Sequence, residues 1–232
     1  TKGLIFDCTW ELKMNKKIIM LLGGIFFWAA GMCSAQIQTA SEFFKTLSDY
    51  YATFNDYEAD LTMEVAGQEM KGKVSFKKPE MVRIDFSDPA EQVFVYNGDN
   101  LVIYLPGNSA ILEQHTEGNL AKSMTGLGLL KRYYTVAYES GPEAVPFEEG
   151  SEDMVINLVM YRRSTSEVFS SIRMSVGAED NLIRRVEAKT TAGAVYSISF
   201  ENYNINTKMS DQRFIYDPPS SANNYKNFLL SE

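Results

Sequence analysis

Few residues in this chain could perform catalysis or bind a metal ion. The 232-residue sequence contains one histidine, His115, and two cysteines, Cys8 and Cys33. A structural zinc site needs four ligands, mostly cysteine or histidine, and a Ser-His-Asp triad needs a histidine oriented by a partner. His115 lies between Gln114 and Thr116 in a polar stretch, without a second ligand at a recognisable spacing. We therefore interpret it as a solvated loop histidine, and we expect no enzyme, no metal site and no cofactor.

Two further patterns have ordinary interpretations. Four acidic residues lie close together before a candidate strand: Glu148, Glu149, Glu152 and Asp153. They lack the alternating oxygen ligands of a dedicated calcium loop, so we interpret them as solvated charge. Gly126 and Gly128 are not followed by the rest of a phosphate-binding fingerprint. Asp and Glu outnumber Lys and Arg by 30 to 22, and this net charge of -8 without a basic stripe argues against a nucleic-acid partner.

Residues 14–35 have the three parts of a secretory signal peptide. Lys16 and Lys17 provide the basic start, residues 18–30 are apolar, and small residues lead to Ala35. The apolar run is shorter than the roughly 20 residues that a membrane-spanning helix needs. We predict cleavage after Ala35 and export to the periplasm.

Export would leave a single domain, residues 36–232, that contains neither cysteine nor tryptophan. Its fold would then depend on packing rather than on disulfides. Residues 1–13 precede the first methionine, so we interpret them as an upstream extension or a cloning scar. The alternative is cleavage before Cys33 and acylation of its sulfur, as in bacterial lipoproteins, although Met32 fits poorly at the preceding position. The intact mass of the exported protein distinguishes the two.

The hydrophobic pattern predicts one helix followed by many strands. Thr39 and Glu42 form a capping box, and apolar residues then recur at helical spacing over 40–54. From Tyr57 the period changes to two, as in strands with one wet face. We predict strands at 57–66, around 74–76, and at 81–86, 92–97, 101–105, 154–163, 167–176, 182–190, 194–203 and 212–216. About ten or eleven short strands joined by tight turns indicate a mainly β, α+β protein with an antiparallel sheet that curls on itself.

Three segments interrupt this series of strands. We predict a polar loop at 107–118, an exposed acidic loop at 141–153 and an amphipathic helix at 119–134. The apolar face of that helix carries Leu120, Met124, Leu127, Leu130 and Tyr134. Gly126 and Gly128 each weaken a helix by about 1 kcal/mol relative to alanine. Two interpretations are equally supported: a plug that completes the core, or a lid that opens over an apolar cavity.

Two stretches of the chain have a distinctive order of strands and turns. The first runs from Gly72 through Lys77-Lys78-Pro79 to Ile84, then from Asp88-Pro89-Ala90-Glu91-Gln92 through Asn97-Gly98 to Tyr104-Leu105-Pro106. The second is Arg213-Phe214-Ile215-Tyr216-Asp217-Pro218. Together with the two helices, this order resembles the LolA family of periplasmic outer-membrane lipoprotein carriers. The likeness covers residues 40–220 or so, and the order of the elements is more specific than any one of them.

The resemblance implies an unclosed, strongly curved antiparallel β-barrel with an N-terminal helix and an inserted helical lid over an apolar cavity. It also implies a monomer that receives acylated lipoproteins or lipids from an inner-membrane lipoprotein-releasing ABC transporter. The carrier would shield the acyl chains across the periplasm and deliver them to an outer-membrane acceptor. A different class of function on the same fold is an anchored module, either an outer-membrane acceptor lipidated on Cys33 or an envelope sensor.

Matching to the family suggests which side chains face the cavity. The lid would contribute Leu120, Met124, Leu127, Leu129 and Leu130. The sheet would contribute Phe76, Ile84 and Phe94. These assignments follow from the resemblance rather than from spacing.

The basic residue before the proline has a role in the family that this chain alters. That residue is usually an arginine that closes the lid by hydrogen bonding, and here it is Lys78. Lysine lacks the planar, forked guanidinium and offers a point charge only. The alternative is that Lys77 and Lys78 form a solvated pair at a strand edge, which discourages aggregation.

Overall fold

One helix and a curved sheet dominate the computed structural model, which describes residues 38–115 and 127–228. Helix α1 spans Ala40–Tyr51, so the predicted helix is confirmed but ends before the predicted residue 54. The capping box forms, because Thr39 Oγ1 accepts from the Glu42 N–H at 3.2 Å and Glu42 Oε2 accepts from the Thr39 N–H at 3.0 Å. These bonds satisfy backbone donors that the first helical turn leaves unpaired.

The described strands form one continuous sheet of thirteen strands. Their bounds are β1 Asp56–Val65, β2 Gln68–Lys77, β3 Met81–Asp88, β4 Val93–Tyr96, β5 Asn100–Leu105, β6 Ala110–His115, β7 Tyr134–Tyr138, β8 Val145–Pro146, β9 Met154–Arg162, β10 Phe169–Gly177, β11 Ile183–Thr190, β12 Val195–Ile205 and β13 Asn223–Lys226. The order across the sheet is β13-β6-β5-β4-β3-β2-β1-β12-β11-β10-β9-β7, and β8 pairs with β9. Among these pairs only β6–β13 is parallel. The sheet is therefore open, with β7 at one end and β13 at the other.

The pairing of β1 with β12 joins two meanders into this one sheet. Tyr57 lies opposite Ile205, and Val65 lies opposite Tyr196, so partners about 130 to 150 residues apart in sequence are adjacent in space. A long-range pairing of this kind cannot be read from local periodicity. It brings the first strand after α1 beside the last long strand of the chain.

A bulge at Gly72 bends β2 where it passes β3. The register shifts between Lys71 and Gly72. A Cβ atom at Gly72 would lie 2.4 Å from the carbonyl oxygen of Asp85, so only glycine allows the two backbones to approach this closely. The bulge contributes to the curvature of the sheet.

Helix α1 packs on the inner face of one half of the sheet. Phe44 and Leu47 are fully buried against Leu158 and Met160 of β9 and Met174 of β10. This cluster is the larger apolar core of the described residues. Its contacts fix the helix over strands β7 to β11.

The outer face of the other half is crossed by the segment after β12, which corrects the strand predicted at 212–216. Asp211–Phe214 is instead a 3-10 turn, and Ser210 caps it by accepting from the Gln212 N–H. Phe214 is buried against Val93 and Val95. We call residues 206–217 the outer strap. An alternating apolar pattern predicts a strand, but it also occurs where a segment packs its apolar side chains on the face of a sheet. The outer strap buries Phe214 in this second way.

Ion pairs hold the outer strap in place. Arg213 Nη2 lies 2.6 Å from Asp85 Oδ2, and Lys77 Nζ lies 2.5 Å from Asp211 Oδ1. Arg83 Nη1 donates to the Arg213 carbonyl oxygen at 3.0 Å. Lys77, for which a solvated position at a strand edge was one of the two alternatives, is therefore bonded to the outer strap.

Two other predicted segments differ from the structure. The polar loop predicted at 107–118 is wrong over 110–115, because Ala110 and Ile111 are buried and this stretch pairs with β5 as strand β6. Of the helix predicted at 119–134, residues 119–126 lie outside the described residues. Leu127–Leu129 is a 3-10 turn, helix α2 covers Leu130–Tyr133, and Tyr134 already begins β7. Cross-strand pairing therefore ends the helix before Tyr134.

We predict that Phe214→Ala lowers the free energy of unfolding by about 3–5 kcal/mol, since it empties a buried aromatic site under the outer strap. Phe214 is 1% exposed, whereas the adjacent Ile215 is 64% exposed. The matched control Ile215→Ala should therefore change stability by no more than about 0.5 kcal/mol. Urea unfolding followed by circular dichroism measures both. Equal losses in the two variants would contradict the burial of Phe214 as the anchor of the strap.

Candidate ligand-binding cavity

A cavity of about 630 Å³ opens on the inner face between the end of α1 and the sheet. This volume lies in the range of cavities that bind small ligands. Its wall is largely aromatic and aliphatic, with contributions from Tyr51, Tyr57, Phe76, Leu127, Ile183, Val186, Phe200 and Tyr203. These residues come from α1, β1, β2, β11, β12 and the turn before α2. The β1–β12 pairing is what places them around one space.

Two tyrosine hydroxyls in the wall are bonded to the backbone of one residue. Tyr51 Oη accepts from the Ile183 N–H at 2.8 Å, and Tyr203 Oη donates to the Ile183 carbonyl oxygen at 3.0 Å. The two hydroxyls are 3.4 Å apart. The polar atoms of these tyrosines are thus satisfied within the protein, and the rings present apolar surface to the cavity.

Burial disfavours ionisation of the wall tyrosines. Burial raises the pKa of Tyr51, Tyr57 and Tyr203 above the ordinary tyrosine value. For Tyr203, the neighbouring Tyr51 raises the pKa further. Uncharged phenols suit a wall that contacts an apolar ligand.

Ring contacts make this wall rigid. The Tyr57 and Phe76 rings stack with centroids 5.2 Å apart, and the Tyr57 and Tyr203 centroids are 5.7 Å apart. Tyr51 packs against Phe54 with centroids 4.9 Å apart. Aromatic pairs at such distances contribute about 0.5–1.5 kcal/mol beyond the area they bury.

Lys78 lies at the rim of the cavity and bonds to the end of α1. Its backbone N–H donates to the Asn55 carbonyl oxygen at 2.9 Å. Its ammonium group donates to the carbonyl oxygen of Ala52, which follows the last residue of α1. A cation at this position stabilises the helix, because the C-terminal carbonyl groups carry partial negative charge.

The turn Leu127–Leu129 and helix α2 cover one side of the cavity, and we call residues 127–133 the covering segment. Leu127 and Gly128 line the cavity. Lys131 Nζ donates to the Ser41 carbonyl oxygen at 3.1 Å, which ties the covering segment to the first turn of α1. Leu130 packs against the core cluster beneath α1.

Only some of the predicted site residues line the cavity. Phe76 and Leu127 line the cavity, and Lys78 lies at its rim. Ile84 and Phe94 lie on the same inner face in an adjoining apolar cluster, with Leu130 in the cluster under α1. The side chain of Leu129 is not described. Leu120 and Met124, like the signal peptide at 14–35, lie outside the described residues.

Sequence reasoning did not single out most of the cavity wall. Ile183 and Val186 on β11, and Phe200 and Tyr203 on β12, belong to strands whose alternation predicts an apolar face. That signal marks them as inward-facing but cannot show that β12 lies beside β1. The pairing decides which inward residues meet at the end of α1.

The acidic loop and His115 have structural partners. Asp153 lies 2.8 Å from Arg184, and Glu148 lies 2.8 Å from Arg185, so these two carboxylates are paired rather than only solvated. His115 ends strand β6, and its Nδ1 lies 2.8 Å from Asn100 Oδ1. Within residues 38–115 and 127–228, no three histidine, cysteine or acidic side chains group as metal ligands would. In the same ranges, no helix combines the length and apolarity of a membrane span.

Fold and cavity together define a class: an open, curved β-sheet with a helix over an apolar cavity. Residues 46–217 match the family model described as "Outer membrane lipoprotein carrier protein LolA". The chain belongs to this family. The resemblance drawn from the residue pattern is thus confirmed.

Relatives and a solved structure agree with this assignment. The chain is similar to the outer-membrane lipoprotein carrier protein of Pseudomonas aeruginosa (strain UCBPP-PA14), with 24% identity over 164 residues, covering 69% of this chain and 75% of that protein. The protein of the same name from Pseudomonas putida (strain GB-1) is 26% identical over 155 residues, covering 67% and 71%. An uncharacterized conserved protein from Thermus thermophilus has a similar fold, with a TM-score of 0.53, 13% identity, and coverage of 80% of this chain and 98% of that one.

We predict that stability falls as the pH rises above about 10, where tyrosines in the unfolded chain ionise. The raised pKa of Tyr57 keeps it protonated in the folded state, so the folded chain holds more protons there and the free energy of unfolding decreases with pH. Tyr57→Phe should make this decrease less steep and leave stability near neutral pH almost unchanged. Urea unfolding at about pH 8, 10 and 11 measures the slopes. Tyr225→Phe, which alters an exposed tyrosine, is the control, and identical slopes for wild type and Tyr57→Phe would contradict the prediction.

Proposed function

We propose that this protein is a periplasmic carrier that shields the acyl chains of lipoproteins and moves them from the inner to the outer membrane. The observation that carries the proposal is the apolar cavity of about 630 Å³ on the inner face, walled by Tyr57, Phe76 and Phe200 among others. An acyl chain gains about 0.8 kcal/mol per buried CH₂ group, so removal of the chain from water supplies the binding energy. No reacting group or cofactor is required.

The route of the cargo forms part of the same proposal. Residues 14–35 direct export, and the exported domain, residues 36–232, works as a monomer. It receives acylated lipoprotein from an inner-membrane ABC transporter and gives it to an outer-membrane acceptor. Membership of the LolA family and similarity to proteins named outer-membrane lipoprotein carrier support this route.

We propose further that residues 119–133 form a lid, of which the covering segment is the described part. Leu127 contacts the cavity, as expected of a lid residue. Among the residues that the structure describes, none would lie within 4 Å of a Cβ atom at Gly128, and its φ is outside the left-handed region, so neither described packing nor backbone geometry requires glycine there. The absence of a structural requirement is consistent with a glycine that keeps closure of the lid weak.

Filling the cavity tests the carrier function. We predict that Val186→Phe reduces the affinity for a fluorescent acylated peptide by about tenfold or more, since the added volume occupies the binding space at a cost of about 1–3 kcal/mol. Val186 lines the cavity, whereas Val195 is exposed on the outer face of the adjacent strand β12. Val195→Phe, the matched control, should bind as the wild type does. Wild-type protein that binds neither acylated peptide nor an apolar dye would refute the carrier function.

Changes in the covering segment test the lid. We predict that Leu127→Ser speeds the exchange of bound dye by about fivefold, because it removes roughly 1 kcal/mol of apolar contact that holds the segment down. Gly128→Ala should slow exchange, because alanine stabilises this turn by about 0.4–1 kcal/mol. Val168→Ser, at an exposed valine, is the control. Stopped-flow fluorescence gives the rates. A Leu127→Ser protein that loses global stability without faster exchange would assign the segment to the core instead.

A further inference from the structure

The polar groups that line the cavity collect on one rim, at the C-terminal end of α1. They come from Ser48, Asp49, Ala52 and Lys78, and the Lys78 ammonium group donates to the Ala52 carbonyl oxygen. The rest of the lining is mostly apolar and includes the rings of Tyr57 and Phe76. The cavity is therefore polarised, with an apolar body and one polar end.

The tyrosine hydroxyls of the cavity wall are already hydrogen-bonded within the protein, so we do not count them with the polar end. Tyr51 and Tyr203 use their hydroxyl groups on the backbone of Ile183. Asp49 is also engaged elsewhere, because its carboxylate lies 2.6 Å from Lys45 Nζ and its side chain is 65% exposed. Lys78 and Ser48 are the groups that remain to meet a ligand.

Ser48 and Lys78 each have unused hydrogen-bonding capacity. Within the described part of the chain, Ser48 Oγ is enclosed and has no hydrogen-bond partner. An enclosed hydroxyl without a partner costs free energy that a ligand acceptor would recover. The Lys78 ammonium has three donors, and the one acceptor that the described residues give it is the Ala52 carbonyl oxygen.

We propose that Lys78 and Ser48 form a headgroup site that binds the oxygen acceptor at the polar end of an acyl chain, with a carboxylate preferred over a neutral head. The inference rests on the proposed carrier function and adds the orientation of the ligand. The chain lies along Tyr57, Phe76 and Tyr203, and its carboxylate or ester carbonyl accepts from Lys78 Nζ and Ser48 Oγ. A lysine as a point charge suits a single oxygen acceptor of this kind.

The test compares ligands that share one hydrocarbon chain and differ in the head: palmitate, its methyl ester and hexadecanol. Binding to the purified full-length protein is measured by displacement of an apolar dye. We expect palmitate to bind about tenfold or more tightly than hexadecanol, since hydrogen bonds to charged groups are the stronger ones. Equal affinities for all three heads would overturn the headgroup site while leaving the carrier function intact. If no ligand binds, the carrier function itself fails.

Two variants assign the preference to the named groups. Lys78→Met keeps the apolar stem and should abolish the preference for palmitate over hexadecanol. Ser48→Ala should reduce palmitate and methyl ester affinity by a smaller factor without loss of stability, since no internal hydrogen bond is removed. The control is Lys73→Met, because Lys73 pairs with Asp60 at 2.8 Å away from the cavity. A preference that persists in folded Lys78→Met protein would overturn the proposal, and if that variant fails to fold, an unchanged palmitate affinity in Ser48→Ala would do so.

Discussion

The sheet has a longer apolar inner face than α1 can cover. The helix buries one half, where Phe44 and Leu47 pack on strands β9 and β10. On the other half, inward residues such as Met63, Met70 and Ile84 pack around a smaller core but stay partly exposed in the described structure. Apolar surface that stays exposed on a concave face is unfavourable in water. An apolar ligand or chain segment that covers this surface would remove it from water and lower the free energy. The cavity lies at the boundary between the covered and the uncovered half.

The outer face, in contrast, is held by ion pairs and hydrogen bonds to the outer strap. Burial alone would raise the pKa of Asp85, but hydrogen bonds and charge from Arg83 and Arg213 outweigh it and hold that pKa below its ordinary value. Asp56 is similar, because hydrogen bonds from Thr207 and the following backbone overcome its burial. These carboxylates remain ionised and clamp the strap. The outer side is therefore fixed by contacts that are separate from the cavity on the inner side.

Local patterns were sufficient for most of the fold, and long-range contacts explain what they missed. The capping box at Thr39 and the alternation from Tyr57 were confirmed because both signals depend on neighbouring residues. Strand β6 was missed because 110–115 was included in a longer polar loop, although this stretch pairs with β5 and buries Ala110 and Ile111. The segment 212–216 was misassigned because Phe214 is buried against a sheet face rather than paired in a strand. The same limit applies to the cavity. Its wall was only partly predicted, because local sequence patterns do not show that β1 pairs with β12.

Lys78 links the sheet to the helix, because it directly follows strand β2 and its ammonium group bonds to the C-terminal end of α1. A planar guanidinium at this position would bond the helix end and a second acceptor in a fixed fork, whereas the Lys78 ammonium offers three rotatable donors on one compact charge. Any acceptor that enters the cavity rim must therefore share Lys78 with the Ala52 carbonyl oxygen. The bond from Lys78 to Ala52 and the bond from Lys78 to a ligand are coupled, and such coupling is reciprocal. If a ligand weakens the bond to Ala52, a stronger bond to Ala52 weakens binding of the ligand. The affinity of the rim for a polar head and the anchoring of the helix above the cavity are thus set by the same side chain.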